Sequence, residues 1–165
     1  LDIVGFTELS STMSSQDVIT LLDTIFTQCD AICEQHNVTK IKTIGDSYMC
    51  VSFDNVVNAA RCALDFLHIA PTSHPVQFRI GIHTGPLTAG VIGTARMQYD
   101  VWGDTVNVAS RMESTSEPGK IHISEALNEA LNEALDKPHI VPRGEIEVKG
   151  KGLMKTYWLE QPVTP

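Results

Sequence analysis

The chain is predicted to be an α+β domain, an antiparallel sheet covered by helices. Three observations predict it. Apolar residues alternate in some segments and recur with helical spacing in others, so strands and helices interleave. Glycine-centred turns at Gly45-Asp46 and Gly93-Thr94-Ala95 join pairs of short β-like runs. No linker or long internal repeat divides the 165 residues, a length that suits one domain with a real core.

The elements follow in order. Residues 1–5 form the end of a buried strand that runs into a Gly-containing turn. Ser14, with Asp17 three positions on, resembles a capping box. The helix it starts carries Val18, Leu21, Leu22, Ile25, Cys29, Ile32 and Cys33 at helical spacing to about His36. Residues 38–44 and 47–53 are β-like and form a hairpin about Gly45-Asp46. Asn55 opens a second amphipathic helix with Val56, Ala60, Ala63, Leu64 and Leu67 apolar, and Pro71 to Pro75 is a loop.

Phe78 to His83 is a strand ending at Thr84-Gly85-Pro86, and two further strands fill residues 87–102. Asp104 to Ser114 is a short helix. Ser124 caps another, whose Leu-Asn-Glu-Ala repeat is expected to be a solvated helix rather than an interaction motif. Two β-like runs in residues 144–160 flank Lys149-Gly150-Lys151-Gly152. Two βαβ-type units plus extra strands give a ferredoxin-like (βαββαβ) core with additional strands.

Twenty acidic against 12 basic residues leave a formal charge of −8. That excludes the basic footprint of a nucleic-acid or anionic-membrane surface, but not a nucleotide, which needs only a few local cations. No apolar run approaches the roughly 20 residues of a membrane span, and no signal peptide is visible. Cys29, Cys33, Cys50 and Cys62 lack zinc-site spacing and are expected to be small core residues in a reducing compartment. The strand that should carry Asp2 lacks its beginning, so the chain is expected to be a fragment of a longer polypeptide.

Asp2 and Asp46 stand at strand ends, where two carboxylates can share divalent cations. The Gly5-Phe6-Thr7 backbone beside them can offer N–H groups to a polyphosphate. Either aspartate alone is equally an ordinary turn residue. Further on, Asn107 and Arg111 lie four apart on one helix and share a face, a spacing that can grip a ribose and a phosphate together. Asp100, before an apolar segment, can accept a hydrogen bond from an exocyclic amine or simply end a strand.

Five motifs then occur in order across nearly the whole chain: Asp-Ile-Val-Gly-Phe-Thr, Lys-Thr-Ile-Gly-Asp, Arg-Ile-Gly-Ile-His-Thr-Gly, Trp-Gly-Asp-Thr-Val-Asn-Val-Ala-Ser-Arg-Met and Val-Lys-Gly-Lys-Gly. Together they resemble the catalytic domain of class III adenylyl/guanylyl cyclases. The resemblance implies a ferredoxin-like fold related to polymerase palms, with active sites at the interface of a head-to-tail dimer.

It also implies roles. Asp2 and Asp46 match the metal-binding aspartates, with the Ile3 carbonyl as an extra ligand, for two Mg²⁺ or Mn²⁺ ions per site. Gly5, Phe6 and Thr7 match the turn that meets the β- and γ-phosphates, and Arg79 an arginine that pairs with the triphosphate. Asn107 matches the residue that orients the ribose, and Arg111 the one that stabilises charge on the α-phosphate. Lys149 matches a lysine that reaches the triphosphate from the partner subunit, with Lys151 a weaker candidate.

Base choice falls to Lys42 and Asp100. Adenine offers an acceptor at N1 and a donor at N6, which a lysine and an aspartate complement; guanine would be better served by Glu at position 42. The pair resembles the adenylyl pattern. Other stretches, such as Arg-Met-Glu-Ser-Thr, look closer to eukaryotic guanylyl cyclases.

The expectation is an adenylate cyclase acting on ATP as a symmetric homodimer. Asp2, Asp46 and Arg79 of each site come from one subunit, and Lys42, Asp100, Asn107, Arg111 and Lys149 from the other. A guanylate cyclase is the runner-up, and a catalytically silent nucleotide-binding dimerisation module a more distant alternative. A diguanylate cyclase should carry a Gly-Gly-Asp/Glu-Glu-Phe signature, which is absent. A cytoplasmic location is expected, with any regulatory or membrane domain elsewhere in the full-length protein, and no nucleic-acid partner.

Overall fold

A computed structural model describes residues 1–135 and 138–162. In chain order the elements are β1 (Asp2–Ile3), α1 (Phe6–Ser11), α2 (Ser15–Gln35), β2 (Thr39–Ile44), β3 (Ser47–Val51), α3 (Val56–Phe66), β4 (Phe78–Ile82), β5 (Thr88–Ile92) and β6 (Gln98–Trp102). They continue with α4 (Asp104–Ser114), β7 (Lys120–Ser124), α5 (Glu125–Ala134), β8 (Ile140–Val148) and β9 (Gly152–Leu159). A seven-stranded sheet has the order β2-β3-β1-β4-β7-β9-β8, and β5-β6 forms a separate two-stranded ribbon.

Local chemistry explains the helix ends. The Ser14 hydroxyl accepts the Asp17 N–H at 3.1 Å and starts α2. At its other end Asn37 takes a left-handed φ of 55°, while Val38 N–H donates to Cys33 O at 2.8 Å and Asn37 N–H to Glu34 O at 3.3 Å. That is a Schellman ending. Asn55 and Ser124 cap α3 and α5 through their side-chain oxygens. In the β2–β3 hairpin, Gly45 supplies the positive φ, 58°, of a two-residue turn.

The main core joins Ile3, Tyr48, Phe78, Ile80, Ile121 and Ile123 of the sheet to Leu21 and Ile25 of α2, Phe66 of α3, and Leu127 and Leu131 of α5. Burial of these side chains is the main stabilising term. On β4, Arg79 and Gly81 alternate with Phe78 and Ile80 and so face the other way. There α4 packs down, through Val108 and Met112 against Val148. The approach is close: a Cβ on Gly81 would lie 1.9 Å from Glu113 N.

Five expectations are corrected. The sheet is not wholly antiparallel, because β4 and β7 run parallel. Strand β7 itself was not anticipated. The final strand pair begins at Ile140 rather than at residue 144. The Leu-Asn-Glu-Ala repeat is only half solvated, since Leu127 and Leu131 are fully buried. The segment after Gly5, expected as a turn, winds into the short helix α1.

Candidate active site

Strand order places Asp2 and Asp46, the aspartates expected to bind metal, side by side. Asp2 on β1 pairs with Ser47 on β3 and with Arg79 on β4. Asp46, in the β2–β3 turn, lies one residue before Ser47 and hydrogen-bonds the Asp2 carboxyl. Asp2 also accepts from the Ser47 hydroxyl at 3.1 Å and from the Arg79 guanidinium at 2.9 Å. Its burial opposes ionisation, but the hydrogen bonds from Asp46, Arg79 and Ser47 prevail and hold it below the usual 3.8.

Asp46 answers in the opposite direction. Burial first, then the adjacent Asp2 carboxyl, push it up to about 6. Two adjacent carboxyls form an oxygen-rich pair that a dication can occupy. The donor set therefore fits a hard divalent cation. Glu113 of α4 belongs to the same cluster, with Oε2 3.9 Å from Arg79 Nε, and burial followed by Asp2 raises its pKa. Arg79 Nε and Glu113 Oε2 are both buried without a hydrogen-bond partner.

Neither Ser47 nor Glu113 was singled out from sequence. Ser47 could have been, since residue 47 must pair beside Asp2 once the hairpin and β1 are adjacent. Glu113 carries no such signal, because only the packing of α4 on Gly81 brings it there.

Lys42 and Asp100, 58 positions apart, meet directly. Lys42 Nζ lies 2.8 Å from Asp100 Oδ2, and Asp100 Oδ1 accepts the Val101 N–H at 2.8 Å. The ion pair, followed by that backbone bond, lowers the Asp100 carboxyl. Side-chain exposure is 27% for Lys42 and 14% for Asp100, so both heads remain reachable by a ligand. A register shift between Lys40 and Lys42 marks a β-bulge immediately before Lys42. Bulges re-aim the side chains that follow them.

Gly5 takes a left-handed φ of 66° at the start of α1, leaving the first N–H groups of that helix free to meet an anion. Asn107 and Arg111 sit on the exposed side of α4, and Lys149 is exposed in the β8–β9 turn. Lys151, in the same turn, is held by Asp104 at the start of α4. Lys42, Ser47 and Asn107 line a groove of about 470 Å³ that also runs past Cys50, Cys62 and Glu113. The single chain thus unites Asp2, Asp46 and Arg79 at one place and Lys42 with Asp100 at another. Asn107, Arg111 and Lys149 remain on the surface. Among the described residues, no helix is long and apolar enough to cross a membrane.

Comparison with known proteins identifies the family. Residues 1–161 match the family model for the adenylate and guanylate cyclase catalytic domain. An adenylate cyclase of Mycobacterium tuberculosis is 44% identical over 169 residues, covering 96% of this chain and 38% of that relative. The chain therefore spans well under half the length of that curated relative. The guanylate cyclase domain of RhGC from Catenaria anguillulae, solved with GTP, superimposes with a TM-score of 0.89 at 39% identity, covering 96% of this chain and 92% of that one. The catalytic core of a rhodopsin-guanylyl cyclase with converted specificity, solved with ATPαS, gives 0.87 at 40% identity, covering 96% and 90%. This chain belongs to the class III adenylyl/guanylyl cyclase family and is a cyclase catalytic domain.

Proposed function

We propose that this domain converts ATP to 3′,5′-cyclic AMP and pyrophosphate at sites shared between two copies of the chain. The observation that carries the reading is the Lys42–Asp100 pair. An ammonium and a carboxylate held side by side present a donor and an acceptor, which match adenine N1 and its N6 amine. Guanine would set its N1–H donor where Lys42 offers only donors, leaving polar groups unpaired.

The remaining roles follow from chemistry and position. Asp2 and Asp46, with the Ile3 carbonyl, would hold two divalent cations, Mg²⁺ or Mn²⁺. When bound, such ions acidify the ribose 3′-hydroxyl and neutralise the triphosphate. The backbone N–H groups after Gly5 receive the β- and γ-phosphates. Arg79 exchanges its bond to Asp2 for the triphosphate. Asn107 orients the ribose, so that the 3′ oxygen bonds to the α-phosphorus as the bond to the bridging oxygen breaks. Arg111 takes up the charge that develops on the α-phosphate. Lys149 reaches the triphosphate; the commitment of Lys151 to Asp104 favours Lys149 for this task.

A head-to-tail homodimer completes each site. Asp2, Asp46 and Arg79 come from one copy, and Lys42, Asp100, Asn107, Arg111 and Lys149 from the other. The β5–β6 ribbon supports this assembly, because Val91, Ile92 and Met97 are 59%, 56% and 77% exposed and need apolar cover. The full-length protein is proposed to act in the cytoplasm, with a regulatory or membrane-attached segment outside this domain. GTP is the runner-up substrate, favoured by the likeness to the GTP-bound fungal domain.

The deciding assay measures product with ATP or GTP, in Mn²⁺ and in Mg²⁺, over a range of protein concentrations. The expected result is a specificity constant for ATP on the order of a hundredfold above that for GTP. Specific activity rises with protein concentration as dimers form. Preference for GTP, or activity from Asp2→Ala in Mg²⁺ close to the unaltered protein's, contradicts the proposal.

A further inference from the structure

The interior holds a group of side chains that nucleotide cyclisation does not use. Cys33 on α2, Cys50 on β3 and Cys62 on α3 converge beneath the β2–β3 hairpin, their sulfurs all within 4.8 Å of one another. Cys33 Sγ and Cys62 Sγ are 3.9 Å apart. All three are free thiols.

We infer that these three cysteines form a binding site for a thiophilic monovalent cation, Cu⁺, held by three sulfurs. Geometry is the first argument. A cation about 2.3 Å from each of three sulfurs in one plane sets those sulfurs roughly 4.0 Å apart. The Cys33–Cys62 separation already matches, and Cys50 needs a shift of less than an ångström, since its sulfur is at most 4.8 Å from theirs.

Ligand chemistry is the second argument. Thiolates select soft cations. Structural Zn²⁺ takes four ligands. Among the described residues no fourth Cys, His, Asp or Glu joins the group. Three-coordination is acceptable to Cu⁺ and poor for Zn²⁺.

The surroundings supply what an isolated cysteine lacks. The Tyr48 hydroxyl donates to Asp30 at 2.7 Å and packs 3.6 Å from Cys33 Sγ, so a fixed aromatic side chain backs that sulfur. An entering cation releases the thiol protons to solvent. A route in exists, because Cys50 and Cys62 line the groove beside Lys42 and Ser47. No oxidation is involved: Cu⁺ enters and leaves as Cu⁺.

The test is an anaerobic titration of the purified chain with Cu⁺ buffered by bicinchoninate, followed by X-ray absorption at the copper edge. One Cu⁺ per chain is expected, with sulfur scatterers only, about 2.3 Å away. Zn²⁺ should bind more weakly. Cys33→Ala, Cys50→Ala and Cys62→Ala should each weaken Cu⁺ binding by about a hundredfold. Cys29→Ala, one helical turn from Cys33 but outside the group, should leave it unchanged. The proposal is overturned if the unaltered chain retains no Cu⁺ against the chelator, if nitrogen or oxygen dominates the copper shell, if Zn²⁺ binds more tightly, or if Cys29→Ala weakens binding as much as the other three. The measurement on the unaltered chain decides the matter even where an alanine variant fails to fold.

Discussion

Gly81 controls the seat of the helix that carries Asn107 and Arg111. A Cβ there would lie 1.9 Å from Glu113 N and 2.4 Å from Met112 C, both backbone atoms that no rotamer change can move. Reaching the edge of ordinary contact at 3.4 Å requires α4 to retreat by 3.4 − 1.9 = 1.5 Å. Overpacking of this kind costs about 1–3 kcal/mol. For a chain of this size each kcal/mol lowers Tm by roughly 2–4 °C, so Gly81→Ala should melt roughly 2–12 °C lower. The larger effect is on turnover, because a misplacement of about 1 Å in the groups that position a substrate costs on the order of a hundredfold. Thermal melts and initial rates with saturating ATP check both. Gly90→Ala is the control, since its Cβ would meet only the Trp102 ring at 3.7 Å, and it should change little. A Gly81→Ala protein with normal Tm and normal kcat refutes the claim that this contact fixes α4.

Three further outcomes are expected. Lys42→Glu combined with Asp100→Cys should move preference from ATP towards GTP, while either change alone mainly lowers activity; an unmoved ratio of specificity constants means the pair does not read the base. Asp2→Ala and Arg111→Ala chains, each inactive, should regain activity when mixed, because one site of the heterodimer is intact; continued inactivity of demonstrated heterodimers contradicts the shared site. His122 is fully buried between Met112 O, 2.8 Å from Nδ1, and Arg143 Nη1, 3.3 Å from Nε2, and burial lowers its pKa below 6.5. The unfolded chain therefore binds the proton more readily, so the stability contribution is complete above about pH 6.5 and is lost as pH falls below it. His122→Gln should flatten that acid loss in urea melts, and an acid limb of unchanged slope would show that another group causes it.

What the sequence revealed was what local chemistry decides. Helix α2 was legible because Ser14 and the stripe through Leu21 and Cys33 act within a few residues, although the Asn37 ending that stops it was not read. The β2–β3 hairpin announced itself through Gly45. Strand β7 did not, since its five residues bury a histidine and a serine alongside Ile121 and Ile123. Pro142 hid the start of β8, because proline within a β-like run argues against a strand. The structure tolerates it there because β8 is the last strand of the sheet. Five ordered motifs singled out the candidate site residues. That Lys42 and Asp100 touch, and that three cysteines converge, follows from packing between distant elements and has no signature in spacing.

The mutual grip of Lys42 and Asp100 also bears on descent. When two side chains neutralise each other at 2.8 Å, the first replacement at either position strands its partner before any second replacement can rescue it. A lineage drifting one codon at a time would meet a weakened ancestor between the two nucleotide preferences. If this pair reads the base as proposed, substrate identity in this domain is protected against gradual change, and a switch of base is expected to arise where a duplicated copy is free to pass through that weakened form.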